Sequence, residues 1–411
     1  MTDLVAPFRG ERYAAVQKLS RLIAPPYDVI DSAERARYAA LDADNIVHVM
    51  LPEAPPGRPE DERYRAAADR LAAWRKSGVL QRDPNPVLYV MAQDFTLPTG
   101  EQRTRRGVFA AVAAEGYEPR RVRPHEHTHA GPKADRLALM QATATNIESI
   151  FLLAPDKDRS LARALADSGK SKPDATAELN GVGIRLWIVR DPSHFPLPPS
   201  PLYIADGHHR YETASAYAKE NPAADRVLAL IVSAEDSGLA VLPTHRVIFG
   251  AGRDLEHVLP HWRDWFDIVP VPAGRDPVET LAALGRERTA CIVADRTRMI
   301  ALVMRPGALP DRLPALAQSE AVRDLDVARI ESLVVKEILG SGTTTPTLRY
   351  IADAKQALDT VRHGGAALAV LLNPTKVEQV FAVADAGDVM PPKSTYFIPK
   401  VPSGLVLRPL S

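Results

Sequence analysis

Asp206-Gly207-His208-His209-Arg210 is the densest run of chemistry-bearing residues, and it follows the apolar stretch Leu202-Tyr203-Ile204-Ala205 directly. A strand that passes through one glycine into a helix leaves the first helical N–H groups unpaired and partly positive, which suits a phosphate. Gly207 allows a sharp turn and a close approach of ligand to backbone. Arg210 can grip phosphate oxygens with its fork of donors, and His208 and His209 can donate or move protons near neutral pH. Asp206 can hold Mg²⁺ or orient a histidine. A helix cap beside ordinary polar histidines would account for a lone Asp-Gly, but the whole run points to a site. Neighbouring histidines at a helix start diverge, and no HExxH or cysteine pair occurs, so zinc is not expected.

A second cluster runs from Arg123 to Arg136. His125, His127 and His129 would share one face if extended, as a divalent metal requires, while a solvated loop is the plain alternative. Glu126 is a candidate general base, with Glu212 and Asp28 as alternatives, and Lys133 or Arg136 would face an anion. Third, Lys393-Ser394-Thr395 offers one cation and two hydroxyls after Pro391-Pro392, suited to phosphate or carboxylate. The upstream glycines of a P-loop are missing, and a turn before a last strand is the alternative. His245 and Arg246 leave an apolar segment in a smaller group of the same kind.

The elements that must carry these residues alternate in type. Asp31-Ser32 offers a cap for a helix over 34–41, and Asn45 to Leu51 reads as a strand. Helical spacing runs from Pro59 to Lys76 with Gly78 as the stop. Val87 to Phe95 and Arg103 to Ala114 pair through a turn at 97–100. A helix over 133–145 precedes a strand over 149–154, strands follow at 184–189, 202–205 and 227–232, and a helix opens at His208. Residues 289–294 and 299–304 form a hairpin, and 325–339 an amphipathic helix closed by Gly340. The fold class expected is α+β or mixed α/β. The expected division is 1–250, an α/β domain with the Asp-Gly-His-His-Arg segment, and 251–411, a second α/β portion whose tail returns to the site.

Composition narrows the functions. The chain has 411 residues, 45% hydrophobic and 25% charged, with 51 basic and 51 acidic residues and no net charge. At about 100–200 residues per domain this allows two or three domains. The balance argues against a polybasic nucleic-acid or membrane binder. The lone Cys291 lies in an apolar run and reads as a small core residue. The first residues lack the order of a signal peptide and no apolar stretch suffices to span a bilayer, so a cytoplasmic protein without membrane partners is expected.

Taken together, the segments 25–30 (PPYDVI), 123–126 (RPHE), 204–214 (IADGHHRYETA), 242–246 (LPTHR) and 390–400 (MPPKSTYFIPK) resemble one bacterial and archaeal family, catalogued as domain of unknown function ten-fifteen. The strand–DGHHR–helix segment alone is also similar to the phosphate-binding segment of the ParB/sulfiredoxin-like superfamily, which includes free-serine kinases. That likeness implies a ParB/sulfiredoxin-like nucleotide-binding core with an additional α/β domain, and Gly207 to Arg210 on the phosphates of ATP or ADP with Mg²⁺. Sulfiredoxin's reactive cysteine has no counterpart, since a histidine stands there, and no DNA-binding role is expected. The expected function is phosphoryl transfer to a hydroxyl metabolite such as serine. In it Glu126 is the base, Lys393 and Arg136 neutralise charge, and His208 and His209 are catalytic. Hydrolysis of a phosphoserine-like ester, or nucleotide sensing without turnover, are the alternatives. The oligomeric state is left open.

Overall fold

The structure is a computed structural model that describes residues 3–128, 130–250, 254–272, 274–307, 319–340 and 346–410. It is a mixed α/β protein with two compact units. Unit one comprises 1–124, 128–239 and 399–411, and unit two comprises 125–127 and 240–398.

Unit one is built on a nine-stranded mixed sheet. Its order is Val122–Arg123, Leu202–Asp206, Ile150–Ala154, Arg226–Ser233, Gln102–Ala113, Leu88–Thr96, Val182–Val189 and Ala175–Leu179, with Val5–Ala6 added beside Gln102–Ala113. The expected hairpin forms, Tyr89 opposite Phe109 through to Thr96 opposite Gln102. Ile150–Ala154 runs parallel to Arg226–Ser233 and antiparallel to Leu202–Asp206. Ile150–Ala154 is buried along its whole length, as a strand covered on both faces must be, which explains its unbroken apolar run. Val108, Ala110, Leu152, Ile204, Ala229 and Ile231 form the middle of the core. Helices Ala130–Thr143 and His208–Glu220 pack on each other.

Unit two has a six-stranded antiparallel sheet in the order Phe266–Pro270, Met299–Met304, Ala290–Ala294, Leu368–Leu372, His245–Phe249, Thr347–Ile351. Cys291 is fully buried there, and burial pushes its thiol pKa well up, in keeping with a core residue. A near-continuous helical run covers 326–339, with a π segment at Glu331–Val335, and ends before Gly340.

One local reading is corrected. Residues 45–51 are not a strand, since Val47–Met50 is a helical turn. The Asn45 side chain accepts from Val47 N–H at 2.9 Å and donates to the carbonyl of Arg21 at 2.7 Å, so a side-chain turn just before the helix overrides the β-branched composition.

Candidate functional site

The strand Leu202–Asp206 pairs regularly with Ile150–Ala154 up to Ile204, but Asp206 then faces Phe151 and Ala205 is left over as a bulge. A bulge re-aims the side chains that follow it. Gly207 adopts φ 90°, ψ 30°, a left-handed conformation open to glycine at little strain, and caps helix His208–Glu220 with no side-chain bond to the helix amides. Its own N–H donates to Asp206 Oδ1 at 2.9 Å, and its carbonyl accepts from Tyr211 N–H at 2.9 Å. An added Cβ would lie 3.1 Å from the Arg210 guanidinium and 3.2 Å from Ile150. The turn therefore leaves the capping position of a 13-residue helix to backbone alone, at the positive end of that helix.

Charged groups from four stretches of unit one gather at this turn. Asp206 Oδ2 lies 3.2 Å from Lys400 Nζ and 3.6 Å from Arg210 Nη2. Burial works against the Asp206 carboxylate, but Lys400 and then Arg210 outweigh it and hold the pKa far below the usual range. Arg210 is 7% exposed and donates to the Ser149 carbonyl. Burial opposes its charge, and Asp206, Asp28 and Glu148 together more than restore it. Glu148 accepts from Tyr27 N–H at 3.0 Å and from Arg136 at 3.4 Å, and burial pushes its pKa up against the pull of Arg210 and Arg136. Arg136 lies over the Tyr27 ring at 4.4 Å and pairs with Asp135 at 2.6 Å. Behind them Arg105 is buried, donates to Gln93 and lies 4.6 Å from the Phe151 ring centroid. Burial pushes its pKa down to about 9, with Asp236 and Asp206 pulling the other way. Gln93 in turn donates to the Lys400 carbonyl at 3.0 Å.

The structure thus gathers Asp206, Gly207, His208, Arg210 and, through Glu148, Arg136. His208 is buried and lowers the Asp206 pKa further, while His209 is half-buried. Asp28 stands exposed on the turn Tyr27–Val29, within electrostatic reach of Arg210. Glu212 is held by Lys133 at 2.8 Å and Thr128 at 2.7 Å, which engages both Lys133 and one candidate base in scaffolding. Lys400, Glu148, Arg105 and Gln93 were missed from sequence. Lys400 closes the 390–400 segment, and Glu148 is a charge set just before an apolar strand, so both leave a faint signal in the sequence.

The remaining candidates lie in unit two. His125 is buried, its Nε2 3.2 Å from Thr395 Oγ1 and its carbonyl accepting from Met390 N–H at 2.9 Å. Ser394 donates to the Pro391 carbonyl at 2.6 Å, and Thr375 donates to the Ser394 carbonyl at 2.9 Å. Lys393 is exposed on a left-handed backbone (φ 55°), and its carbonyl accepts from Thr244. Arg246 is buried, 3.1 Å from Glu331 and 2.6 Å from the Thr244 carbonyl. His245 is buried, its Nδ1 accepting from Leu372 N–H at 3.2 Å, and burial followed by Arg246 pushes its pKa down to about 4. Glu126 is half-buried, His127 is exposed, and His129 lies outside the described residues. Among the described residues no three His, Cys, Asp or Glu side chains converge as a metal site requires. Asp206, expected to hold Mg²⁺, faces two cations instead, so this carboxylate does not fit a metal ion.

A family model described as protein of unknown function (DUF1015) matches residues 5–328. No curated protein matches the chain. Similar solved structures include a conserved hypothetical protein from Pyrococcus furiosus, 15% identical, covering 72% of this chain and 93% of that one with a TM-score of 0.35. A free serine kinase in complex with AMP is 15% identical, with 71% and 87% covered and a TM-score of 0.37. SbnI with a C-terminal truncation from Staphylococcus aureus is 12% identical, with 70% and 82% covered and a TM-score of 0.37.

Proposed function

Because this chain belongs to the DUF1015 family, a family of unknown function, we propose its activity from the site itself: a phosphotransferase that binds ATP or ADP at the Asp206–Arg210 turn and phosphorylates a small hydroxyl metabolite of the serine type. What supports this most is the glycine-capped helix start at Gly207, flanked by Lys400 and Arg210 and free of any side-chain cap.

In this scheme the N–H groups at the start of helix His208–Glu220 receive phosphate oxygens, and Lys400 adds a point charge from the side. Asp206 holds Lys400 and Arg210 in place, and Arg210, tied to the Ser149 carbonyl, fixes the turn and contributes its field. The exposed Asp28 takes the proton from the acceptor hydroxyl as that oxygen bonds to phosphorus. The bound nucleotide supplies the phosphoryl group. As the new bond forms, the bond from the terminal phosphorus to its bridging oxygen breaks and takes its electrons to that oxygen, releasing ADP from ATP or AMP from ADP. Such chemistry is chiefly positioning and charge stabilisation, which a set of fixed cations and amides can deliver. All the groups used belong to unit one.

Titration calorimetry with ADP tests the binding half. Wild type should bind saturably, and Lys400→Ala should weaken binding about tenfold or more, the loss of one charge-assisted contact. Transfer of labelled phosphate from ATP to serine tests the other half. Absence of saturable binding of both ATP and ADP would overturn the proposal, and phosphate release from phosphoserine without nucleotide would replace it with hydrolysis.

A further inference from the structure

We infer that unit two carries a second anion site, a cleft that takes a small polyphosphorylated molecule with an apolar part. The cleft measures about 830 Å³, a volume suited to a small-molecule ligand. Val271, Ile300 and Leu358 contribute to an apolar floor. Arg275, Arg296, Arg298 and Arg362 stand around it. They come from three separate stretches: the segment after strand Phe266–Pro270, the turn between strands Ala290–Ala294 and Met299–Met304, and the last turn of helix Ala354–Arg362.

Ion pairs with acids hold two of the four arginines, Arg298 among them through Asp295 Oδ2 at 3.4 Å. Asp276 caps helix Pro277–Leu284, accepting from Glu279 N–H at 2.8 Å. Asp295 accepts from Thr297 N–H at 2.8 Å, Thr297 Oγ1 at 2.8 Å and Arg298 N–H at 2.9 Å, all within the hairpin turn. Arg298 is paired with Glu256 at 2.5 Å and Arg362 with Asp359 at 3.6 Å. Arg275 and Arg296 enter no ion pair among the described residues and are exposed, so two guanidinium forks remain available to one ligand. Guanidinium forks match phosphate oxygens two at a time, which favours a phosphorylated ligand over a simple halide-like anion. The apolar floor beneath a cationic rim asks for a ligand with both characters.

The test is calorimetry of the full chain with tripolyphosphate, on wild type, Arg275→Ala/Arg296→Ala and Lys400→Ala. Both arginines are exposed, so the double variant should melt with wild type. It should bind tripolyphosphate about tenfold more weakly at one site, about 1.4 kcal/mol. Lys400→Ala should leave that site intact, whatever becomes of nucleotide binding in unit one. Equal isotherms for wild type and the double variant, no heat from wild type, or loss of all binding in Lys400→Ala would each overturn the inference.

Discussion

Asp206 is a carboxylate held between Lys400 and Arg210 in surroundings that disfavour charge, so its ionised form depends on both cations. Removing one partner of such a buried group leaves the others uncompensated, a loss of about 3–5 kcal/mol. The folded pKa lies below the unfolded value of about 3.9, so this contribution is complete above about pH 4 and is lost as pH falls through the folded value. Asp206→Asn should therefore be less stable than wild type at pH 7 in urea unfolding, by about 3 kcal/mol, and the gap should narrow from about pH 4 towards pH 2. An equal gap at pH 7 and pH 2 would contradict the ion-pair account. At this scale the sequence showed which residues could bind phosphate, but not which were already engaged. Arg210 reads as a free fork in the sequence, whereas in the fold one of its arms donates to the Ser149 carbonyl.

The strand–turn–helix over 202–220 was legible because each part has a local cause: an apolar strand, a glycine needed for positive φ, and a helix following it. The bulge at Ala205 was not legible, since it is a property of the pairing with Ile150–Ala154. The turn depends on Gly207 in two ways, through its φ of 90° and through the 3.1–3.2 Å approach of Arg210 and Ile150. Gly207→Ala should cost about 1–3 kcal/mol by thermal melting and should abolish ADP binding, because relief of the strain would move the helix start. A variant with wild-type melting and affinity would show that this backbone geometry is not required. The misread segment at 45–51 shows the opposite case, where a side chain 22 and 24 residues distant from its carbonyl partners decides the local conformation.

The two units are interleaved in the chain, with 240–398 forming nearly all of unit two and 399–411 belonging with unit one. Ala240 pairs with Ile398 in an antiparallel ladder, so the ends of this insertion are neighbours. Replacing 241–397 with a short Asn-Gly turn should therefore leave unit one able to fold, since its sheet draws on no strand of the removed segment. Circular dichroism should show a cooperative melt for this shortened chain, and ADP binding should persist, because the groups assigned to it lie in unit one. A chain that fails to melt cooperatively would show that unit one relies on unit two for its stability.

By itself the sequence determined the mixed α/β class, the main strands and helices, the glycine turn and the pool of residues around it, because periodicity, capping and turn chemistry act over a few positions. Only the tertiary structure decided that Lys400 meets Asp206 across 194 residues, that Glu148 and Arg105 stand behind the turn, and that Glu212 is tied to Lys133. Those pairings follow from which strands lie side by side, and strand order leaves no mark in the local pattern of a chain.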